Sequence, residues 1–122
     1  MKKDKWKFAI GTTSRVPGTG GRLHYLMVDW DTDDIPGQWD GYLPGELHWM
    51  LFQKTNHGWH LYTDYMGTFT QIITLARSLG ADPSWIRIGC DRGYLFLADK
   101  DEIDFPYPVE HMVIHRGKEE TA

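Results

Sequence analysis

The chain has one cysteine, Cys90, in 122 residues. No internal disulfide can form, which fits a reducing cytosol. No apolar stretch approaches the ~20 residues of a membrane span, and no signal-peptide core is visible. These absences point to a cytoplasmic protein that makes no use of a membrane. Positive charge is scarce: 13 Lys and Arg against 17 Asp and Glu leave a net charge of -4. The molecule as a whole does not attract nucleic acid, so any polyanion must be met by a local basic patch or through a metal. Internal repeats and low-complexity segments are absent too. Tryptophan is abundant, with six copies. The 41% hydrophobic and 25% charged fractions are those of an ordinary globular protein, and the length suits one domain over 1–122. Met1 to Lys5 is polar and reads as a frayed end, not an address. Arg116 to Ala122 reads as a mobile tail.

The most informative stretch is Leu26-Met27-Val28-Asp29-Trp30-Asp31. It has strand character and runs into two acids spaced i, i+2. Alternation puts Asp29 and Asp31 on one face with Tyr25 and Met27. Leu26, Val28 and Trp30 point the other way, into a core. Two carboxylates side by side repel each other unless something positive sits between them. A divalent cation, Mg²⁺ or Mn²⁺, would hold a triphosphate and activate a hydroxyl. The bland alternative is a strand that ends in an acidic turn, Asp-Trp-Asp-Thr-Asp-Asp. Composition alone does not separate the two.

Around that stretch the chain divides as follows. Trp6 to Thr12 is a first strand. Ser14 to Gly21 is a glycine-rich loop without the Lys-Ser/Thr ending of a phosphate-binding P-loop. Arg22 to Asp31 is the central strand, and Thr32 to Gly45, with too many Gly and Pro for a full helix, is a long ordered loop or a single helical turn. Glu46 to Thr55 and Trp59 to Tyr65 form a hairpin closed by Asn56-His57-Gly58. Thr68 to Leu79 is the one clear helix. Phe69, Ile72, Ile73, Ala76 and Leu79 share a face, Thr68 is a candidate N-cap, and Gly80 stops it. Trp85 to Asp91 reads as a strand with Ile86, Ile88 and Cys90 buried. Arg92-Gly93 turns it into Tyr94 to Asp99, and Val109 to His115 is a last strand. The sum is an α+β domain: a mostly antiparallel sheet with a helix on one face, like an RRM-type plait. The other face would carry Asp29, Asp31 and polar neighbours.

Other candidates have structural explanations beside functional ones. His60 shares a face with Tyr62 and Asp64 and is placed either to meet a metal-bound phosphate or simply to line a strand. His57 and His60 fall on opposite faces, which excludes a zinc cluster. Asp82 precedes a proline and Asp91 a glycine turn, positions where Asp is common anyway. Arg87, Arg92 and Lys100 are the basic residues of this half, free to bind phosphates or to face solvent.

The order of these pieces resembles the catalytic core of the archaeo-eukaryotic primase superfamily, which includes the primase-polymerases of archaeal plasmids and viruses. Leu26 to Asp31 is similar to its Asp-x-Asp strand, and Thr55-x-x-Gly58-x-His60 to its Gly-x-His hairpin. Ala81-Asp82 followed by Arg92 and Lys100 is the best third match, with Cys90-Asp91 competing. The resemblance covers roughly residues 23 to 100. The family's catalytic domains are longer, often with a zinc knuckle, and commonly have an arginine where Tyr94-Leu95-Phe96-Leu97 stands here. A minimal or degenerate member is therefore implied. The resemblance implies an RRM-like palm and two-metal nucleotidyl transfer in DNA replication. Asp29, Asp31 and Asp82 would be the catalytic metal ligands, with Asp91 as the alternative third. Thr55, His60, Arg92 and Lys100 would hold the nucleotide. Partners would be a nucleoside triphosphate, a single-stranded DNA or RNA template and a helicase or other replication protein.

Two rival readings follow. An inactive RRM-like domain would bind single strands or a replication partner through Trp49, Trp59, Trp85 and Tyr94 as stacking groups. A rolling-circle nickase needs a His-hydrophobic-His triplet, and none occurs.

Overall fold

The computed structural model describes residues 8–37, 41, 43–99 and 103–115. Lys100 and the residues beyond 115 lie outside them. The elements in order are β1 (Phe8–Thr13), β2 (His24–Trp30), β3 (Met50–Lys54), β4 (Trp59–Gly67), α1 (Phe69–Ser78), α2 (Pro83–Arg92), β5 (Phe96–Ala98) and β6 (Glu110–His115). The strands form two antiparallel three-stranded sheets, ordered β5-β1-β6 and β2-β4-β3. The chain is thus α+β and antiparallel, with its strands shared between two sheets. They meet where Arg15 bridges His24 and the Tyr25 N–H donates to the Ser14 carbonyl at 2.7 Å.

The alternation in β2 places Leu26, Val28 and Trp30 in one core with Leu61, Ile72, Ile73, Ala76, Leu79 and Ile86. Each Leu, Ile or Val side chain so removed from water contributes on the order of 1.5–3 kcal/mol. The Trp30 indole N–H donates to the Leu79 carbonyl at 2.8 Å, so this buried ring also anchors the end of α1. α1 itself starts as its sequence dictates. The Thr68 hydroxyl accepts from the Gln71 N–H, and Gln71 reaches back to the Thr68 N–H.

Two expectations are corrected. The second face of the β2 sheet is not a polar surface. Met27 and Tyr62 are buried there beneath Leu97 of β5, with Trp49, Ile103 and Phe105 packed around them. The second sheet and the 103–109 segment cover what a single sheet would leave open. The other correction concerns Trp85 to Asp91, which is helix α2, not a strand. Asp82 caps it through a bond from the Trp85 N–H at 3.1 Å, Pro83 occupies the first turn, and Gly93 ends it with φ of 90°. Ile86 and Gly89 face inward, whereas Ile88 and Cys90 are exposed. No described helix is long and apolar enough to cross a membrane.

Candidate functional site

The β2–β4 ladder sets Asp29 directly opposite His60 and Trp30 opposite Trp59. The His60 Nε2 lies 3.5 Å from Asp29 Oδ1. A glycine is needed to make this approach. A Cβ on Gly58 would stand 1.8 Å from the Trp30 carbonyl oxygen, so no side chain fits where the hairpin crosses the end of β2. Thr55 closes the same turn: its hydroxyl accepts the Gly58 N–H at 3.0 Å, and its N–H donates to the Gly58 carbonyl at 2.8 Å. The Thr55-x-x-Gly58-x-His60 spacing therefore has a local purpose, which is to deliver His60 to Asp29.

Asp82 arrives from the helical half of the chain. Its backbone N–H donates to the Asp29 carbonyl at 2.8 Å. Asp31 follows two residues after Asp29 and is exposed. Burial first, then the charges of Asp82 and Asp31, push the Asp29 carboxyl up to about 6. Burial drives the His60 imidazole down to about 4, so it is neutral at pH 7. The Asp29–His60 contact at neutral pH thus joins a carboxylate to a neutral ring and is no ion pair. His60 Nδ1 is buried without a hydrogen-bond partner.

Other candidates lie elsewhere. Arg92 and Asp91 are exposed in the last turn of α2, whose first turn Asp82 caps. At roughly 1.5 Å per helical residue they stand about 15 Å along the axis from Asp82. Asp91 is therefore not grouped with Asp29, and Arg92 does not border the acids. Lys100 lies outside the described residues. The four aromatics expected to be open stacking groups are all partly buried. Trp49 packs on Phe105 and Tyr107, and the Trp59 N–H donates to the Asp33 carbonyl. The Trp85 N–H donates to the Phe96 carbonyl, and Tyr94 lies under Arg15.

One polar group escaped the sequence reading. The Tyr62 hydroxyl, next along the face from His60, donates to Asp99, which also accepts from Thr12 at 2.8 Å. Burial pushes the Asp99 carboxyl and the Tyr62 phenol up. Thr12, Tyr62 and Asp99 come from three separate strands or strand ends, so no local spacing marks them.

Comparison with protein-family models, curated proteins and solved structures yields no match. Among the described residues no set of three or more His, Cys, Asp or Glu side chains is already arranged to hold a metal ion. The donor chemistry nonetheless suits a hard cation: the candidate ligands are carboxylates, all oxygen, with Asp29 raised first by burial and then by its two acidic neighbours.

Proposed function

We propose that the chain is a primase-like nucleotidyltransferase core on a reduced RRM-like palm, acting on nucleoside triphosphates with Mg²⁺ or Mn²⁺. The observation that carries this reading is the backbone bond that ties Asp82 to Asp29, with Asp31 two residues on, the charges of both acids acting on the Asp29 carboxyl, and His60 against Asp29. Three mutually repelling carboxylates at one strand end form a site that a cation would complete. Asp29, Asp31 and Asp82 would hold the ion. When bound, such an ion neutralises triphosphate charge and activates a hydroxyl. The chain's own residues do the positioning. His60, neutral and wedged against Asp29, orients that carboxylate; a phosphate contact through its ring would require the buried Nδ1 to become accessible. The Asp82 backbone fixes α2 to Asp29, and the Gly58 turn fixes the hairpin.

Calorimetric titration of Mn²⁺ and dATP tests the reading, with Asp29→Asn/Asp31→Asn as control. Metal-dependent nucleotide binding is expected in the parent, with a loss of tenfold or more in the double variant. Equal binding in both proteins would end the proposal. The rival reading, metal-independent binding of single strands on open aromatics, is disfavoured because all four aromatics are packed or hydrogen-bonded.

A further inference from the structure

The edge of an open sheet is a template for another strand unless something spoils it. Of the four edges formed by the described residues, three are spoiled. β5 is only three residues long, Phe96–Ala98. β2 has a register break between Tyr25 and Met27 and is bridged to Arg15 beside it. β3 ends on the exposed Lys54. The fourth edge, β6, has no such device. It is six residues long, contains neither proline nor lysine, and pairs with β1 without a break from Phe8↔His115 to Thr13↔Glu110. Its one acid, Glu110, is neutralised by Arg15 at 2.8 Å.

The register shows which backbone groups of β6 are open. The Ile10 carbonyl accepts from the Asp99 N–H at 2.9 Å, and the Ser14 N–H donates to the Leu95 carbonyl at 2.9 Å. The even-numbered residues of β1 therefore bond toward β5, whereas Gly11 and Thr13 turn to β6 and meet Met112 and Glu110. His111, Val113 and His115 are left with their N–H and C=O groups on the outer side, where no described strand lies. The side chains beside this open edge are apolar. Ile10 and Val113 stand directly opposite each other and are 53% and 51% exposed.

We infer that β6 is a homodimer edge: it pairs antiparallel with β6 of a second copy of this chain and joins two β5-β1-β6 sheets into one continuous sheet. Antiparallel pairing needs outward-bonding residues to face outward-bonding residues, and β6 meets that need with itself. A two-fold axis at Val113 sets Val113 against Val113 of the second copy, and His111 against its His115. All the outward residues then find partners, with about six backbone hydrogen bonds across the joint. A slip by one residue is excluded, since it would face the inward-bonded Met112 to an outward residue. Ile10, Val113 and their two counterparts form an unbroken apolar row across the joint. With Glu110 neutralised within its own chain, no uncompensated carboxylate, lysine or arginine of β6 faces its own copy. A joint between two single edges is at the small end of protein interfaces, under ~1,200 Å², so the dimer is concentration-dependent. The inference is independent of the nucleotidyltransferase reading and uses none of its residues.

The first test is sedimentation equilibrium of the full chain between about 5 and 500 µM, without metal or nucleotide. The mass should rise with concentration from the 14.2 kDa of one chain toward twice that value. Val113→Lys sets like charges against each other on the axis and should weaken association by roughly tenfold or more. Ile88→Lys removes a similarly exposed apolar side chain from α2 and should associate like the parent. Circular dichroism checks that both variants fold. The second test reads the register. In a Cys90→Ser background, Val113→Cys should give a covalent dimer under mild oxidation, because residues paired on the axis stand about 5.5 Å apart at Cα, within disulfide reach. Ile88→Cys in the same background should not. A parent that keeps the mass of one chain at every concentration overturns the proposal and leaves the edge to a strand of another protein. So does a Val113→Lys variant that associates like the parent, or a Val113→Cys variant that stays uncrosslinked while the parent dimerises. Loss of association in Ile88→Lys alone would place the contact on α2 and equally overturn it.

Discussion

Gly58 and His24 show how much a single residue is asked to do. Gly58 has no room for a methyl group, because the Trp30 carbonyl occupies the place of its Cβ. Gly58→Ala should cost about 1–3 kcal/mol in urea unfolding through overpacking, and it should weaken nucleotide binding by displacing His60. His24 is buried, with its Nδ1 2.7 Å from the Ser14 hydroxyl and its ring 4.8 Å from Phe69. Burial, the largest cause, holds its ring below the ordinary value of 6.5. The unfolded chain then binds the proton more readily than the folded one. The stability His24 contributes is present above pH 6.5 and is lost as the pH falls below it. The stability gap between the parent and His24→Asn should narrow from pH 7 to pH 5, as read by urea midpoints; a constant gap would refute this. The acidic pair was legible at this scale because strand alternation is local. The role of Gly58 was visible only as turn chemistry, because the Trp30 carbonyl that excludes a side chain comes from another strand.

At the scale of elements, α2 is the instructive case. Ile86, Ile88 and Cys90 alternate as in a strand, yet Asp82, Pro83 and Gly93 are helix start and stop signals, and they prevail. A cap and a proline set the backbone before side-chain periodicity acts, and Ile88 accepts exposure as a result. Asp82 thus has two tasks, one as a cap and one beside Asp29. The two are separable. Asp82→Ala should cost about 1 kcal/mol through the lost cap, whereas Asp82→Asn, an equally good cap, should cost only a few tenths. Both should lose metal-dependent nucleotide binding, measured by calorimetry beside urea unfolding. Full binding by Asp82→Asn would remove Asp82 from the site. α1 was readable throughout, since its apolar face, its N-cap and its glycine stop agree with one another.

On the scale of the whole molecule, the two sheets are joined by polar links across a shared apolar layer. The Tyr62 hydroxyl donates to Asp99, the Tyr107 hydroxyl to the Thr63 carbonyl at 2.7 Å, and the Tyr25 hydroxyl to the Pro108 carbonyl at 2.7 Å. Phe105 packs on Tyr62 with ring centroids 5.4 Å apart. Tyr62→Phe should leave Asp99 with one partner fewer and cost about 1–3 kcal/mol. The chain should still unfold in one step, with tryptophan fluorescence and far-ultraviolet circular dichroism giving the same midpoint. Separate midpoints would mean that the sheets fold independently. None of these links has a sequence signature, because each joins residues tens of positions apart.

The sequence by itself determined β2 with its buried and acidic faces, the tight hairpin at Gly58, helix α1 and the candidate acids, all through interactions within a few residues along the chain. The tertiary structure decided the rest. Burial on both faces of the β2 sheet turned an expected open surface into an interior layer. Packing brought Asp82 to Asp29 and left Asp91 and Arg92 at the other end of α2. Each of these depends on which elements become neighbours, and that choice belongs to the apolar core as a whole and not to any local pattern.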